Sequence, residues 1–397
     1  MTGWQATTTE YLINEGLLKI GDGYRAKNSE FTSTGFPFAR AGNINNGFLF
    51  SNADHLPTQY KEVVGDKISE TGDVVFTSKG TVGRFGFVTE KIQKFVYSPQ
   101  LCFWRSLKRD KIISKFIYYW MHGDEFVGQA DVLKGQTDMA DYVNLADQRR
   151  MKITLPPPSE QKAIAAVLSS LDDKIDLLHR QNATLEAMAE ALFCQWFVVE
   201  AKEEWESTHL SYFGKIVCGK TPSKANKAFF DGEIPFIKIP DMHGNIFIDK
   251  TSDTLTKEGA SSQVNKYLPP DSICVSCIAT VGLVAITKEV CQTNQQINTI
   301  IPLHSFYRYY LFFHLRLLKD ELENMASGGT ATPNLNTGDF SRIEILSPLA
   351  QVLKSFDEIV HPLFAKIRSN QSQIHTLEKL RDTLLPKLMS GEVRVQF

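Results

Sequence analysis

Residues 214–221 match, letter for letter, the loop with which many nucleotide-binding proteins hold phosphate groups. In a working loop a helix follows at once, because the backbone amides at its amino terminus bind the phosphates. Here Pro222 and residues 223–226 predict a turn instead. The repeat described below also places Asp22 where Lys220 stands in this stretch. We therefore interpret the stretch as a turn that binds no nucleotide, which makes an NTPase the weakest of three possible functions.

Cys274 and Cys277 have the spacing of one half of a zinc site. They lie in a run that predicts a strand, however, where residues three positions apart point to opposite faces of the sheet. No second cysteine pair and no histidine cluster completes a site, so we expect two thiols and no metal. The sequence contains no nucleophile elbow, glycine-rich dinucleotide turn or methyltransferase motif, and it predicts no catalytic residue.

The chain repeats itself, and such a repeat decides the architecture. Residues 35–40 align with residues 233–238, and Asp73 aligns with Asp271, both at an offset of 198 positions. Later matches keep the same order, so the chain contains two copies of a mixed domain, each followed by a helix. The predicted segments are a first domain at 1–155, a central long helix at 156–200, a second domain at 201–346 and a C-terminal long helix at 347–397.

Two ladders of apolar residues, with steps that alternate between 4 and 3, indicate the 3.5-residue period of a coiled coil. The ladder positions are Ile164, Leu168, Leu171, Ile175, Leu178, Asn182, Leu185, Ala189, Leu192 and Trp196 in the first helix, and Phe356, Val360, Leu363, Ile367, Asn370, Ile374, Leu377, Arg381, Leu384 and Leu388 in the second. The fold class is therefore α+β, with two similar mixed α/β domains separated by two long helices. These helices are expected to pair as an antiparallel coiled coil with pseudo-twofold symmetry.

Each ladder contains one asparagine, and these two residues predict the register in which the helices pair. A lone Asn in an apolar seam costs roughly 1–3 kcal/mol unless another polar group faces it. Setting Asn182 opposite Asn370 places Leu178 opposite Ile374 and leaves one mixed pair, in which Arg381 can extend its charged group past its apolar stem. The alternative is that each apolar stripe packs only on its own domain.

Two prolines, Pro362 and Pro386, lie inside the second ladder. Because proline removes a helical hydrogen bond, we expect them to kink the helix or to limit its length.

Composition excludes several classes of protein. The 397 residues are 43% hydrophobic and 22% charged, which is typical of a globular chain of two to three domains. No secretory signal and no apolar run of 18 residues is present, so we expect a cytoplasmic protein without contact to a membrane. The net charge of −2 means that any contact with nucleic acid must use a local basic patch or a basic partner.

Several segments together resemble the specificity subunits of type I restriction-modification systems. Residues 219–223 and 230–242 resemble the opening of a target-recognition domain in that family, and residues 155–161 and 327–336 look like its ending. Residues 380–392 are similar to the closing helix of the family. The resemblance covers nearly the whole chain, and the combination of motifs is specific.

The resemblance implies a non-catalytic subunit that reads a split sequence in double-stranded DNA, one half-site for each target-recognition domain. It further implies docking of two methyltransferase subunits and of restriction/translocase subunits. The methyl donor, ATP and magnesium would then belong to those partners, and this chain would bind no cofactor. The alternative from another class is a coiled-coil scaffold that binds proteins without DNA specificity.

Polar turns are the best candidates for contact with DNA, because Lys, Arg, Thr, Asn and Gln in such loops can reach base edges and phosphates. For any one residue a solvated turn is an equally good interpretation. The residues that we expect to face DNA are Arg40, Lys79, Arg84, Lys238, Thr280 and Thr330.

Overall fold

The computed structural model describes residues 3–45, 47–134, 141–327 and 333–395. The chain forms two compact units. The first unit consists of Met1–Ile175 together with Thr376–Phe397, and the second consists of Asp176–His375. Each unit therefore contains one mixed domain and a part of each of two long helices.

The first unit is built on an antiparallel four-stranded sheet in the order Leu18–Asp22, Leu101–Ser106, Val74–Thr77, Phe85–Phe87. A second sheet has the order His55–Leu56, Phe36–Ala39, Val96–Tyr97, and Gln5–Thr8 pairs with Lys152–Leu155. The α-helices of this domain are Thr9–Asn14, Lys61–Val64, Ser114–His122, Asp124–Lys134 and Leu145–Arg150.

The second unit repeats this arrangement and adds one strand. Its main sheet has the order Gly214–Cys218, Ile297–Pro302, Ile273–Ser276, Val284–Thr287, Phe247–Ile248. The smaller sheet has the order Asp253–Leu255, Phe230–Ile237, Gln292–Thr293, and Glu206–His209 pairs with Glu344–Ser347. The α-helices of this domain are Ile239–Met242, Lys257–Ser261, Arg308–Leu317, Lys319–Ala326 and Thr337–Ser341.

Backbone hydrogen bonds show which residues of the two domains are equivalent, and they correct the sequence alignment. The amide of Tyr24 donates to the carbonyl of Tyr97 at 2.7 Å, and the amide of Lys220 donates to that of Thr293 at 2.9 Å. The residue equivalent to Lys220 is therefore Tyr24 and not Asp22. The alignment slipped because sequence matching cannot detect small differences in loop length, whereas the hydrogen-bond ladder can.

The match of Asp73 with Asp271 is also wrong, by one position. The amide of Gly72 donates to the Val88 carbonyl at 2.8 Å, and the amide of Asp271 donates to the Thr287 carbonyl at 2.9 Å. Gly72 and Asp271 both have a positive φ, of 93° and 65°. The turn before the strand thus keeps its left-handed backbone in both copies although the residue type changes.

Both domains bury aromatic side chains between the main sheet and the helices that follow it. In the first unit Trp104 of the sheet and Trp120 of helix Ser114–His122 are each 1% exposed, with ring centroids 5.5 Å apart. In the second unit Tyr310 and Phe313 come from helix Arg308–Leu317 and are also buried. These cores hold the loops at the ends of the strands in defined positions.

The two long helices are Pro158–Cys194, with 37 residues, and Ala350–Ser390, with 41 residues. A single turn of π-helix at Gln195–Val199 continues the first. The second helix runs through Pro362 and Pro386, so neither proline ends it. Both prolines lie on the exposed side of the helix.

The helices pack against each other within each unit, in opposite directions. In the first unit Arg381 Nη1 donates to Asp172 Oδ1 at 3.0 Å. In the second unit Asn370 Nδ2 donates to Asn182 Oδ1 at 2.8 Å, while the rings of Trp196 and Phe356 lie 6.0 Å apart. As the residue number rises along one helix it falls along the other, which is antiparallel pairing.

Every predicted ladder position is shielded from solvent. The fully buried positions are Ile164, Leu168, Ile175, Leu178, Ala189, Phe356, Val360, Ile367, Asn370, Ile374 and Leu388. The half-buried positions are Leu171, Asn182, Leu185, Leu192, Trp196, Leu363, Leu377, Arg381 and Leu384. The helices also pack on the domains, through residues such as Phe193 and Phe364, which lie beside the ladder and join the aromatic core of the second unit. The ladder residues therefore pack between the two helices, while neighbouring residues of the same helices pack on the domains.

Among the described residues, no helix has the length and apolar character needed to cross a membrane.

Candidate nucleic-acid interface

In the first unit, the turns that carry Arg40 and Lys79 are both hydrogen-bonded to Gln100, an exposed residue. The amide of Ala41, the residue after Arg40, donates to Gln100 Oε1 at 3.1 Å. The amide of Ser78, the residue before Lys79, donates to the Gln100 carbonyl at 2.9 Å. Gln100 thus ties together the two turns that carry the cations.

Arg40 is held by packing and charge and still reaches solvent. Its guanidinium lies over the rings of Phe31 and Phe38, at 5.5 and 5.2 Å from their centroids, and pairs with Asp54 at 2.7 Å. The side chain remains 42% exposed. A stacked and paired guanidinium loses less conformational entropy when it binds a ligand than a free one does.

Arg84 and Lys79 complete the cluster. Arg84 Nη1 donates to the Ala41 carbonyl at 3.4 Å, which places this side chain next to the Arg40 turn. Lys79 forms a backbone bridge with Tyr142, and its Nζ lies 5.8 Å from the centroid of that ring. Both side chains are exposed. The first domain therefore presents three cations on turns that share hydrogen bonds.

In the second unit, Lys238 occupies the place of Arg40. The amide of Arg40 donates to Asn43 Oδ1 and that of Lys238 to Asp241 Oδ2, each at 2.8 Å. Lys238 Nζ also pairs with Asp253 at 2.6 Å, as Arg40 pairs with its own acid. Each domain thus carries a cation at the same capped turn.

The other two candidates of the second domain have different outcomes. Thr280 is exposed and follows Ala279, which has a positive φ of 65° and whose amide donates to the Pro333 carbonyl at 3.1 Å. The first domain uses Gly80 in the same way, with a φ of 82°. Thr330 lies outside the described residues. No described hydrogen bond joins the Lys238 turn to Thr280, so convergence of these two residues stays a prediction.

Glutamines at the start of the last strand of the main sheet were missed in the sequence. In the second domain Thr221 Oγ1 donates to Gln295 Oε1 at 2.6 Å, and the Gln296 carbonyl accepts from the Cys277 amide at 2.8 Å. Gln100 of the first domain is equivalent to Gln296, because its carbonyl accepts from the Ser78 amide in the same way. The signal that could have identified them is a glutamine directly before the strand in both copies, Gln100 before Leu101–Ser106 and Gln296 before Ile297–Pro302.

The stretch that matches a phosphate loop has a different structure. Its first five residues form the strand Gly214–Cys218, which corrects the prediction of a turn for that part. The amides of Gly219 and Lys220 donate to the carbonyls of Ile297 and Thr293, at 3.0 and 2.9 Å. Because protein carbonyls occupy these donors and no helix follows directly, the stretch lacks the geometry that holds a phosphate.

The two closely spaced cysteines belong to different parts of the core. Cys274 packs in one apolar cluster and Cys277 in another, on opposite faces of their strand. Burial raises the pKa of Cys274 to about 12 and that of Cys277 to about 11, so both are thiols at neutral pH. Within the described ranges, no three His, Cys, Asp or Glu side chains are grouped so that they could hold a metal ion.

Comparison with known proteins shows what this repeated arrangement is. The sequence profile of the type I restriction modification DNA specificity domain matches residues 10–187 and again residues 202–379. The chain belongs to the type I restriction-modification specificity subunits. The double match also shows that both copies are DNA specificity domains of this family.

Full-length relatives agree with this assignment. The chain is 32% identical to the specificity subunit of the type I restriction enzyme HindI of Haemophilus influenzae, over 94% of this chain and 98% of the relative. It is 27% identical to the MjaIX specificity subunit of Methanocaldococcus jannaschii, over 83% and 79% of the two chains. The crystal structure of a type I S subunit from M. genitalium has the same fold, with a TM-score of 0.64 at 16% identity, over 98% of this chain and 96% of that one.

Proposed function

We propose that this chain is the non-catalytic subunit that gives a type I restriction-modification complex its DNA sequence preference, and that each domain reads one half of a split target. The observation that carries this proposal is the repeated capped turn. Arg40 and Lys238 have equivalent positions, equivalent amide caps and equivalent acidic partners. Two similar surfaces on one chain are what a reader of two half-sites requires.

Within each domain, the exposed polar residues near these turns are the proposed contacts with DNA. Cations bind phosphates and position the protein, whereas Arg, Gln and Thr can also bind base edges in the major groove. The proposed contacts are Arg40, Lys79, Arg84, Lys238, Thr280 and Thr330.

The long helices are proposed to dock two methyltransferase subunits, and the complete complex to include restriction/translocase subunits. The methyl donor, ATP and magnesium would act on those partners, and the complex would work in the cytoplasm, where its DNA is. Membership of the specificity-subunit family, whose members such as the HindI relative are subunits of type I restriction enzymes, supports this assembly.

An exchange of domains tests the proposed function. Residues 206–346 are replaced by the corresponding segment of the HindI relative, and the methylated adenines are mapped after reconstitution with methyltransferase. Half of the recognised sequence should change, and the other half should stay. If both halves changed together, the model of two independent readers would be wrong. If the unaltered complex bound DNA without sequence preference or salt dependence, the scaffold function would be favoured instead.

A further inference from the structure

The loop that follows Arg40 is closed by hydrogen bonds around an exposed leucine. Asn43 Oδ1 accepts from the Arg40 amide, and Asn43 Nδ2 donates to the Leu49 carbonyl at 2.8 Å. The Leu49 amide in turn donates to the Asn43 carbonyl at 2.9 Å. The backbone at Leu49 is therefore bound on both sides to the residue that caps the Arg40 turn.

The residues on either side of Leu49 anchor it in the core. The rings of Phe48 and Phe50 lie 4.7 and 5.1 Å from the ring of Phe95, which is fully buried. Leu49 stands between these two anchors and is 57% exposed. A leucine in a loose surface loop needs no explanation, but here two aromatic anchors and two backbone hydrogen bonds hold an apolar side chain in water.

Cations lie on and next to the turn to which the Leu49 backbone is hydrogen-bonded, and one of them, Arg40, also pairs with Asp54. The turn to which it is bonded carries Arg40, and the Ala41 carbonyl of that turn accepts from Arg84. Gln100 then links the same turn to the segment that carries Lys79. An apolar group among cations fits the major groove of DNA, where phosphates surround base edges and the thymine C5-methyl group is the apolar feature.

We propose that Leu49 contacts the C5-methyl group of a thymine in the half-site bound by the first domain, and so makes that position specific for thymine over cytosine. This inference rests on the proposed function. The cations around it bind phosphates and bring the loop to the groove, while Leu49 supplies the discrimination. The equivalent residue of the second domain, six positions after the capping Asp241, is Phe247, which is buried, so the contact belongs to one half-site only.

Replacement of thymine by deoxyuridine tests the contact, because it removes only the methyl group. The full chain is reconstituted with methyltransferase, its target is mapped, and each thymine of the first half-site is replaced in turn. At one position, deoxyuridine should slow methylation by about fourfold at limiting complex, the factor that corresponds to about 0.8 kcal/mol for one buried carbon group. Leu49→Ala should methylate the thymine and deoxyuridine substrates at equal rates.

Two further variants make the result specific. Leu49→Met keeps an apolar contact and should keep the discrimination. Val63→Ala removes another exposed apolar side chain of the same domain, which is 65% exposed, and should behave as the unaltered chain. Discrimination that persists in Leu49→Ala, or its absence at every thymine in the unaltered complex, would overturn this inference and leave the proposed function intact. Methylation without any sequence preference would overturn both.

Discussion

Arg40 illustrates how a single residue can be fixed and yet available. Stacking on two phenylalanines and pairing with Asp54 hold the guanidinium, while solvent reaches 42% of the side chain. In the complex with methyltransferase, Arg40→Ala should weaken binding to target DNA. A lost phosphate contact would lower the slope of log K against log salt by about 1, and a lost base contact would cost about 1–3 kcal/mol and relax one position.

Fluorescence anisotropy at several salt concentrations, followed by mapping of methylated sites, distinguishes these two results. The matched control is Lys91→Ala, which removes an exposed positive charge from the same domain. Equal behaviour of the two variants would mean that Arg40 contributes only its net charge.

Lys220 is the residue for which motif and structure disagree most. Its amide is bound to the Thr293 carbonyl, and the stretch before it is a strand. We therefore expect Lys220→Ala to leave the methylation rate of the complex within about twofold of normal, and the isolated chain to show no heat of ATP binding by calorimetry. ATP affinity that disappears in Lys220→Ala would contradict this reading.

At the scale of elements, a buried carboxylate connects the ends of the first unit. Glu160, near the start of the first long helix, is 5% exposed. It accepts from Arg394 Nε at 2.8 Å and Nη2 at 2.5 Å, and from Trp4 Nε1 at 3.1 Å. In the second unit the covalent chain itself leads from the long helix to Trp205, before the first strand. In the first unit the Glu160 carboxylate therefore holds Trp4 next to the long helix by hydrogen bonding, whereas in the second unit the covalent chain connects the helix to Trp205.

Removal of this contact should destabilise the first unit in a manner that depends on pH. Hydrogen bonds from Arg394 lower the pKa of the Glu160 carboxyl, so its folded pKa lies below the unfolded value of about 4.3. The stabilisation is thus complete above that unfolded value and is lost as the pH falls through the folded pKa. Arg394→Ala should reduce the free energy of unfolding at pH 7, and the reduction should become progressively smaller below about pH 4.

Denaturant unfolding across this pH range measures the effect. Arg394→Lys is the matched control, because it keeps the charge but cannot bind both carboxylate oxygens through one planar group. A loss that is independent of pH would show that Arg394 acts by packing alone.

The register of the long helices can be tested by chemical crosslinking. The hydrogen bond between Asn182 and Asn370 predicts that Leu178 lies opposite Ile374. A chain with cysteines at positions 178 and 374, and its other reactive cysteines removed, should oxidise within one molecule, whereas cysteines at 178 and 367 should not. Electrophoresis without reductant reads the outcome. Efficient crosslinking of the second pair would indicate a slipped register.

At the scale of the whole molecule, the two domains should act as separate readers. Arg40→Ala should change the preference at one half-site and Lys238→Ala at the other, because the two residues belong to different compact units. The double variant should then show the sum of the two losses in binding free energy, within about 0.5 kcal/mol. Titration of the complex with target DNA checks this. A larger coupling would mean that one domain senses the occupancy of the other.

The features predicted from the sequence are those that depend on local period and composition. The alternation of 4 and 3 residues was enough to find both long helices and the ladder, and one asparagine in each helix was enough to propose a register. The repeat and the family motifs pointed to two DNA specificity domains, which the sequence profile confirms. These signals can be detected because the apolar period recurs along each helix and the domain motifs occur in both copies.

Tertiary structure alone decided which distant residues meet. Three findings depend on hydrogen bonds between segments that lie far apart in sequence. They are the equivalence of Lys220 with Tyr24, the strand at Gly214–Cys218, and the bonds that join the Arg40 turn to Gln100 and to Arg84. Loop lengths differ between the copies, and a difference of one or two residues shifts an alignment without leaving a mark in composition. Local sequence determines which side chains a turn carries, but only the pairing of strands determines which turns share a surface.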